Sequence, residues 1–160
     1  MIPYNRIEYE QFGPEYEKSG FCEITGGYWV THNQHDFDGV RGDYERNVAR
    51  ILYQNGYKVV LESENRGFGV QSPDGKLNGA SFEICSIESA GKNTIKGQLN
   101  KCNSKGVDVA IIYFPLPQIY SQSFLLDGYY KYLGIKRSRE FKIIFIVDDK
   151  IGHIIKKADN

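Results

Sequence analysis

The sequence predicts an α/β fold, and three stretches carry that expectation. Asp43 to Asn55 has a helical apolar period: Tyr44, Val48, Ile51 and Leu52 recur at i, i+4, i+7 and i+8. Val107 to Phe114, VDVAIIYF, is a nearly unbroken apolar run, as expected of a strand buried on both faces. A second helix, Thr94 to Ser104 with the stripe Ile95, Leu99 and Cys102, is expected between the strand-like Leu77 to Ile87 and that run. A helix joining two strands of one sheet suggests a right-handed crossover, with the strands parallel.

The remaining elements follow in order. Asp43 is placed to cap the first helix, and Asn55-Gly56 to close it. Tyr57 to Ser63 reads as a strand, Asn65 to Gly69 as a turn, and Phe68 to Gln71 as a second short strand. Pro73-Asp74-Gly75 is turn chemistry. Along Leu77 to Ile87, alternation puts Phe82, Ile84 and Ser86 on one face and Glu83, Cys85 and Ile87 on the other. Asn93 is expected to cap the next helix, and Pro115 and Pro117 to end the apolar strand. Ser121 to Leu133 reads as a helix with Gly128 inside it and Gly134 as its stop. Phe141 to Val147 is a strand, and Asp148-Asp149-Lys150 turns the chain into a last one, Ile151 to Ile155. The result is an α-β-β-β-α-β core with a mixed sheet flanked by helices, plus a C-terminal helix and β-hairpin.

Residues 1–38 are rich in Tyr and acids and carry Gly13-Pro14 and Gly26-Gly27, so they read as an N-terminal arm with one short strand at Tyr28 to Thr31. Residues 39–160 would then form the functional domain. His32 and His35 flank Asn33-Gln34, with Asp36 and Asp38 close behind. Such a loop could bind metal or move protons; turn and cap chemistry is the simpler reading.

Composition bounds the function. At 160 residues and 41% hydrophobic content the chain is long enough for one cored domain. No run of about 18 apolar residues would cross a membrane, and the start, MIPYNRIEYEQFG, has no apolar signal region. Three widely spaced cysteines, Cys22, Cys85 and Cys102, point to reduced thiols and a cytoplasmic site of action. The formal net charge is zero, yet residues 1–90 hold 8 Lys/Arg against 14 Asp/Glu, and residues 91–160 hold 12 against 6. An acidic half suited to metal and a basic half suited to phosphate would suit a nuclease; chance clustering on solvated faces would give the same count.

Acids fall in the first helix, at Asp74 and in the third strand, and this pattern resembles the PD-(D/E)XK, restriction-endonuclease-like nuclease superfamily. More narrowly it resembles the C-terminal toxin nucleases of CdiA-type contact-dependent growth inhibition proteins. The matching residues are Glu45-Arg46-Asn47-Val48-Ala49-Arg50-Ile51-Leu52, Asn55-Gly56-Tyr57-Lys58-Val59, Pro73-Asp74-Gly75, Asn78-Gly79 through Glu83-Ile84, and Thr94-Ile95-Lys96. They span about Asp43 to Phe114. The resemblance implies a metal-binding hydrolase acting on tRNA or DNA. Asp74 and Glu83 would ligate a divalent ion (Mg²⁺, Mn²⁺ or Zn²⁺), joined by Glu45 and the carbonyl of Ile84. It also implies an immunity protein as partner.

The family places a lysine two residues after the strand acid, and here that position is Cys85. A thiol is no cation and only a weak donor, so nuclease activity is expected to be impaired here. Lys92 or Lys96, in or before the following helix, would have to supply the charge. A Cys85 nucleophile would need a His/Asn partner, and no recognisable spacing provides one. Nucleic-acid affinity would come from Lys92, Lys96, Lys101 and the cluster Lys136, Arg137 and Arg139. Two alternatives stand beside the nuclease. One is a catalytically inactive nuclease-fold module that binds nucleic acid or protein. The other is a metal-independent ribonuclease of the barnase–EndoU–colicin–RelE type, using His32 or His35 with Thr94 and Lys96.

Overall fold

The computed structural model describes residues 4–63 and 72–154. The chain is α+β, with four α-helices and eight strands in parallel and antiparallel pairs among the described residues. No described helix is long and apolar enough to cross a membrane. The chain forms two compact units, Met1–Phe82 and Glu83–Asn160.

In the first unit, helix α1 (Tyr4–Glu10) leads into strands β1 (Tyr16–Phe21) and β2 (Tyr28–His32), which pair antiparallel. The expected division at residue 38 is therefore corrected. Residues 4–38 are not an arm: β2 pairs parallel with β3 (Lys58–Leu61) across helix α2 (Gly39–Gln54). Aromatic burial holds this segment in place, with Tyr9, Tyr28 and Val30 forming a core against Phe12, Tyr16 and Phe21. The tyrosines that build this core, both apolar and polar, gave no clean period in the sequence.

Helix α2 starts four residues before the expected Asp43. Gly39 sits at φ 56°, a conformation that favours glycine. Asp38 makes no side-chain cap bond, so the usual start signal is missing. Buried Val48, Ile51 and Leu52 match the expected stripe. The expected turn Asn65–Gly69 and strand Phe68–Gln71 lie outside the described residues.

The expected strand Leu77 to Ile87 is two strands, β4 (Gly75–Leu77) and β5 (Ala80–Ser86). Asn78 and Gly79 stand between them at φ 50° and 88°, the backbone of a two-residue hairpin turn. Gly75 begins β4 because any Cβ there would lie 2.0 Å from the Val60 carbonyl oxygen. Residues Ala80 to Phe82 pair with β4 in the first unit, and Glu83 onward belongs to the second.

The second unit holds helix α3 (Thr94–Lys105), strand β6 (Val109–Phe114), a 3-10 turn (Pro117–Ile119), helix α4 (Gln122–Leu133) and strands β7 (Lys142–Val147) and β8 (Lys150–Ile154). Every residue of β6 is buried, as its apolar run predicts. It pairs parallel with β7 across α4, and β7 turns back on β8. Gly106 ends α3 in the left-handed region, and Ser121 caps α4 by accepting from the Phe124 N–H at 3.1 Å. Gly128 lets α4 approach α3, because a Cβ there would lie 2.5 Å from the Ile95 Cβ. The described order α2-β3-β4-β5-α3-β6 again has three strands between two helices, but its second strand is β4 and not the expected Phe68–Gln71.

Candidate functional site

Burying an ionised carboxylate costs free energy unless partners replace its water. Among the described residues only three acids are buried: Glu45, Asp74 and Glu83. They are the three singled out in the sequence, and each has a basic partner.

In the first unit, Glu45 lies on the buried face of α2, on one row with Val48 and Leu52. Its Oε2 lies 2.5 Å from His35 Nε2, with both side chains inaccessible or nearly so. The other ring nitrogen, Nδ1, lies 2.7 Å from the Glu62 carbonyl oxygen. A carbonyl only accepts, so Nδ1 carries a hydrogen, and one proton lies between Nε2 and the carboxylate. Phe37 covers the imidazole edge-on at 4.8 Å and is itself capped by the Arg46 guanidinium at 4.2 Å.

Asp74 is joined to the same framework through the backbone. The Glu62 N–H donates to the Asp74 carbonyl at 3.1 Å, and the Asp74 N–H to that of Phe82 at 3.0 Å. Arg41, one turn before Glu45 on α2, lies 3.6 Å from Asp74 Oδ1, with its own side chain 58% exposed. Glu45, His35, the Glu62 peptide, Asp74 and Arg41 thus close a ring that returns to α2. Tyr16 extends it by donating its hydroxyl to the Glu62 carboxylate at 2.8 Å.

In the second unit, Glu83 forms an ion pair with Lys105, both largely buried. Cys85, two residues on, faces α3 as well. Its Sγ lies 3.0 Å from Cys102 Sγ and 3.9 Å from the Gln98 carbonyl oxygen. It belongs to the apolar core with Ile87, Ile95 and Leu99. Alternation therefore placed Glu83 and Cys85 on one face correctly. The expected place of Cys85 beside a reacting water does not match these surroundings, because the thiol is 1% exposed and packed on a second thiol.

Lys96 is half-buried in the first turn of α3. Nine residues separate it from Lys105, about half a revolution of a helix at roughly 100° per residue. Lys92, Lys101, Lys136 and Arg137 are exposed. Arg139 holds structure together by donating to the Asn103 side chain at 3.0 Å and the Val107 carbonyl at 3.1 Å. His32 accepts from the Gln34 N–H at 3.0 Å.

Sequence reasoning missed Arg41 and Lys105. Arg41 was hidden because α2 was expected to start after it. Lys105 had a signal, since it continues the stripe Leu99–Cys102 at the helical interval, and a lysine on a buried stripe asks for an acid.

Hard oxygen donors suit Mg²⁺ or Mn²⁺ better than Zn²⁺. No group of three or more His, Cys, Asp and Glu is arranged to hold an ion among the described residues. Glu45 and Asp74 carry oxygen donors of the type that suits an ion held by one or two carboxylates and completed by water and phosphate, and not by a closed protein cage. No protein-family model, curated protein or solved structure matches the chain.

Proposed function

We propose that this protein is a metal-dependent phosphodiester hydrolase of the restriction-endonuclease-like kind, acting on tRNA or DNA as a toxin-like nuclease. The observation that carries the reading is the burial of Glu45, Asp74 and Glu83 and of no other acid among the described residues. Buried ionisable groups held by specific charge partners are found often where chemistry is done. The order α2-β3-β4-β5-α3-β6, with these acids on or beside α2, β4 and β5, supports the resemblance.

Glu45 and Asp74 are the residues that would hold the ion. A bound divalent cation supplies positive charge against the phosphate and lowers the pKa of a water. The chain's own groups prepare that site. His35, anchored by the Glu62 carbonyl, fixes the Glu45 carboxylate and keeps one proton beside it. Arg41 steadies Asp74 and, being exposed, can reach an approaching phosphate oxygen. Lys105 is a cation paired with the strand acid Glu83.

A second reading, a module that binds without cleaving, is favoured by the buried Cys85 at the family's lysine position. The metal-independent ribonuclease is disfavoured, because both ring nitrogens of His35 are engaged in a buried pair.

The test is cleavage of tRNA and of DNA with Mg²⁺ or Mn²⁺. Cleavage is expected from the wild type, lost in EDTA, and lowered about 10²-fold or more by Glu45→Gln or Asp74→Asn. Binding without cleavage under either ion would select the binding module. Cleavage that survives EDTA would select the metal-independent enzyme.

A further inference from the structure

The second unit contains a cavity of about 270 Å³ whose lining includes Tyr120, Gln122, Tyr130, Phe145 and His153. None of these residues takes part in the acid sites. One wall is a stack of rings: Tyr120 lies on Phe145 with centroids 5.8 Å apart and planes 18° apart. Phe114, 2% exposed on β6, braces Tyr120 edge-on at 5.2 Å. The wall is therefore fixed to the core. Opposite it, Gln122, Leu126 and Tyr130 recur every four residues and form one ridge of α4. The Tyr130 side chain is left 59% exposed beside this aromatic surface.

The chemistry of the walls selects a flat aromatic ligand. Stacked rings present π faces that a planar ring covers well, and every nucleobase has such a face. Gln122 and His153 bring hydrogen-bonding groups that suit the polar edge of a heterocycle and have no match in a hydrocarbon. Charge adds a second selection: residues 83–160 hold 12 Lys/Arg against 8 Asp/Glu. A base inside a duplex is stacked and paired on both sides, so only an unstacked base could enter. We propose that this cavity takes an unstacked base of a single-stranded nucleic acid, so that single strands or RNA loops are the substrate class; this rests on the nuclease reading above.

The experiment measures binding of the full chain to a fluorescent single strand of about eight nucleotides, a usual length for such sites. A duplex of the same sequence is run beside it, with EDTA present so that metal-dependent cleavage does not occur. Tyr130→Ala is expected to weaken single-strand binding about fivefold or more, and Tyr130→Phe to keep it within about twofold, because stacking needs the ring and not the hydroxyl. Gln122→Trp, which fills the mouth of the cavity, should also weaken it, and neither variant should change duplex binding. Both positions are exposed, so an unchanged melting temperature is expected. Single-strand binding indifferent to both variants would overturn the proposal. So would an equal loss for the duplex, or an aromatic-rich peptide binding where the single strand does not. Tyr130-dependent binding by a chain that cleaves nothing with Mg²⁺ or Mn²⁺ would keep the cavity and remove the nuclease reading. Metal-dependent cleavage of single strands that ignores Tyr130→Ala and Gln122→Trp would remove the cavity alone.

Discussion

The two units solve the burial of acids in different ways. Residues 1–82 hold 8 Lys/Arg against 12 Asp/Glu and residues 83–160 the reverse, 12 against 8. In the acidic unit, Glu45 and Asp74 sit in a ring of hydrogen bonds that passes through the Glu62 peptide and reaches solvent at Arg41. In the basic unit, Glu83 is paired with the largely buried Lys105, beside a core of aliphatic side chains and thiols. A carboxylate whose cation is solvent-exposed, as Arg41 is beside Asp74, can exchange that cation for a ligand. A carboxylate held by one buried cation cannot lose it without being left charged in an apolar setting. The acidic unit is therefore built for exchange and the basic unit for fixed structure.

Three substitutions and a pH titration bear on that contrast, from the largest effect down. Cys85→Lys places an ammonium group at the contact between β5 and α3 that the two thiols now fill. It is expected to destabilise the protein by roughly 5 kcal/mol or more, and a urea melt would reveal it. A variant as stable as wild type would mean that the core of the second unit is wetter than its packing suggests. Lys105→Met should come next, at about 3–5 kcal/mol, the usual consequence of stripping the partner from a buried charge. The double variant Glu83→Leu with Lys105→Met should recover most of that loss. Arg41→Ala should cost under about 1 kcal/mol in the same melts, as exposed ion pairs do. Equal losses at Lys105 and Arg41 would erase the distinction between the units.

The smallest effect is a pH dependence in the first unit. Tyr28 donates its hydroxyl to Glu8 at 2.5 Å, and Lys58 approaches the same carboxylate at 2.9 Å. The Tyr28 bond, followed by Lys58, holds the Glu8 carboxyl below its ordinary value of 4.5 despite partial burial. Burial and the Glu8 carboxylate push the Tyr28 phenol up, so it remains a donor. A depressed acid stabilises the fold above its unfolded pKa and loses that contribution as pH falls through the folded one. Acid melts below about pH 4.5 should therefore separate wild type from Glu8→Gln, with the variant less sensitive. Parallel acid profiles would remove Glu8 from the set of stabilising groups.

Much of this was legible from residue order. The apolar run of β6 and the stripes of α2 and α3 reflect burial that dominates any local preference, so period alone revealed them. Glu45, Asp74 and Glu83 were visible through the order and spacing of short motifs that resemble a nuclease family, since each acid alone also reads as ordinary helix, turn or strand chemistry. What escaped depended on backbone conformation or on distant partners. Asn78-Gly79 divides an otherwise continuous strand pattern, and it was read as strand because Leu77 and Ala80 continue the apolar character. Gly39 opens α2 without a capping side chain, which hid Arg41. His35 looked like loop chemistry, since its meaning comes from Glu45 and the Glu62 carbonyl, 10 and 27 residues away in sequence. Residues 4–38 gave no clean period because their core is built from tyrosines, which are both apolar and polar.

The two tight turns have a consequence for how the protein acquires its shape. Asn78-Gly79 and Asp148-Asp149 each place two consecutive residues at positive φ, the backbone that closes a hairpin with the natural strand twist. Hairpins close in about 1–10 μs because little chain must be gathered. The parallel pairs β2/β3 and β6/β7 must wait until α2 and α4 have spanned the gap, a slower search. The Asp74 N–H bond to the Phe82 carbonyl continues the first hairpin directly. Asp74 is therefore positioned by an early, local event, whereas Glu45 arrives with the docking of α2. The ring of contacts that links the two acids closes only once the docking of α2 is complete, so a partly folded chain would not yet have it.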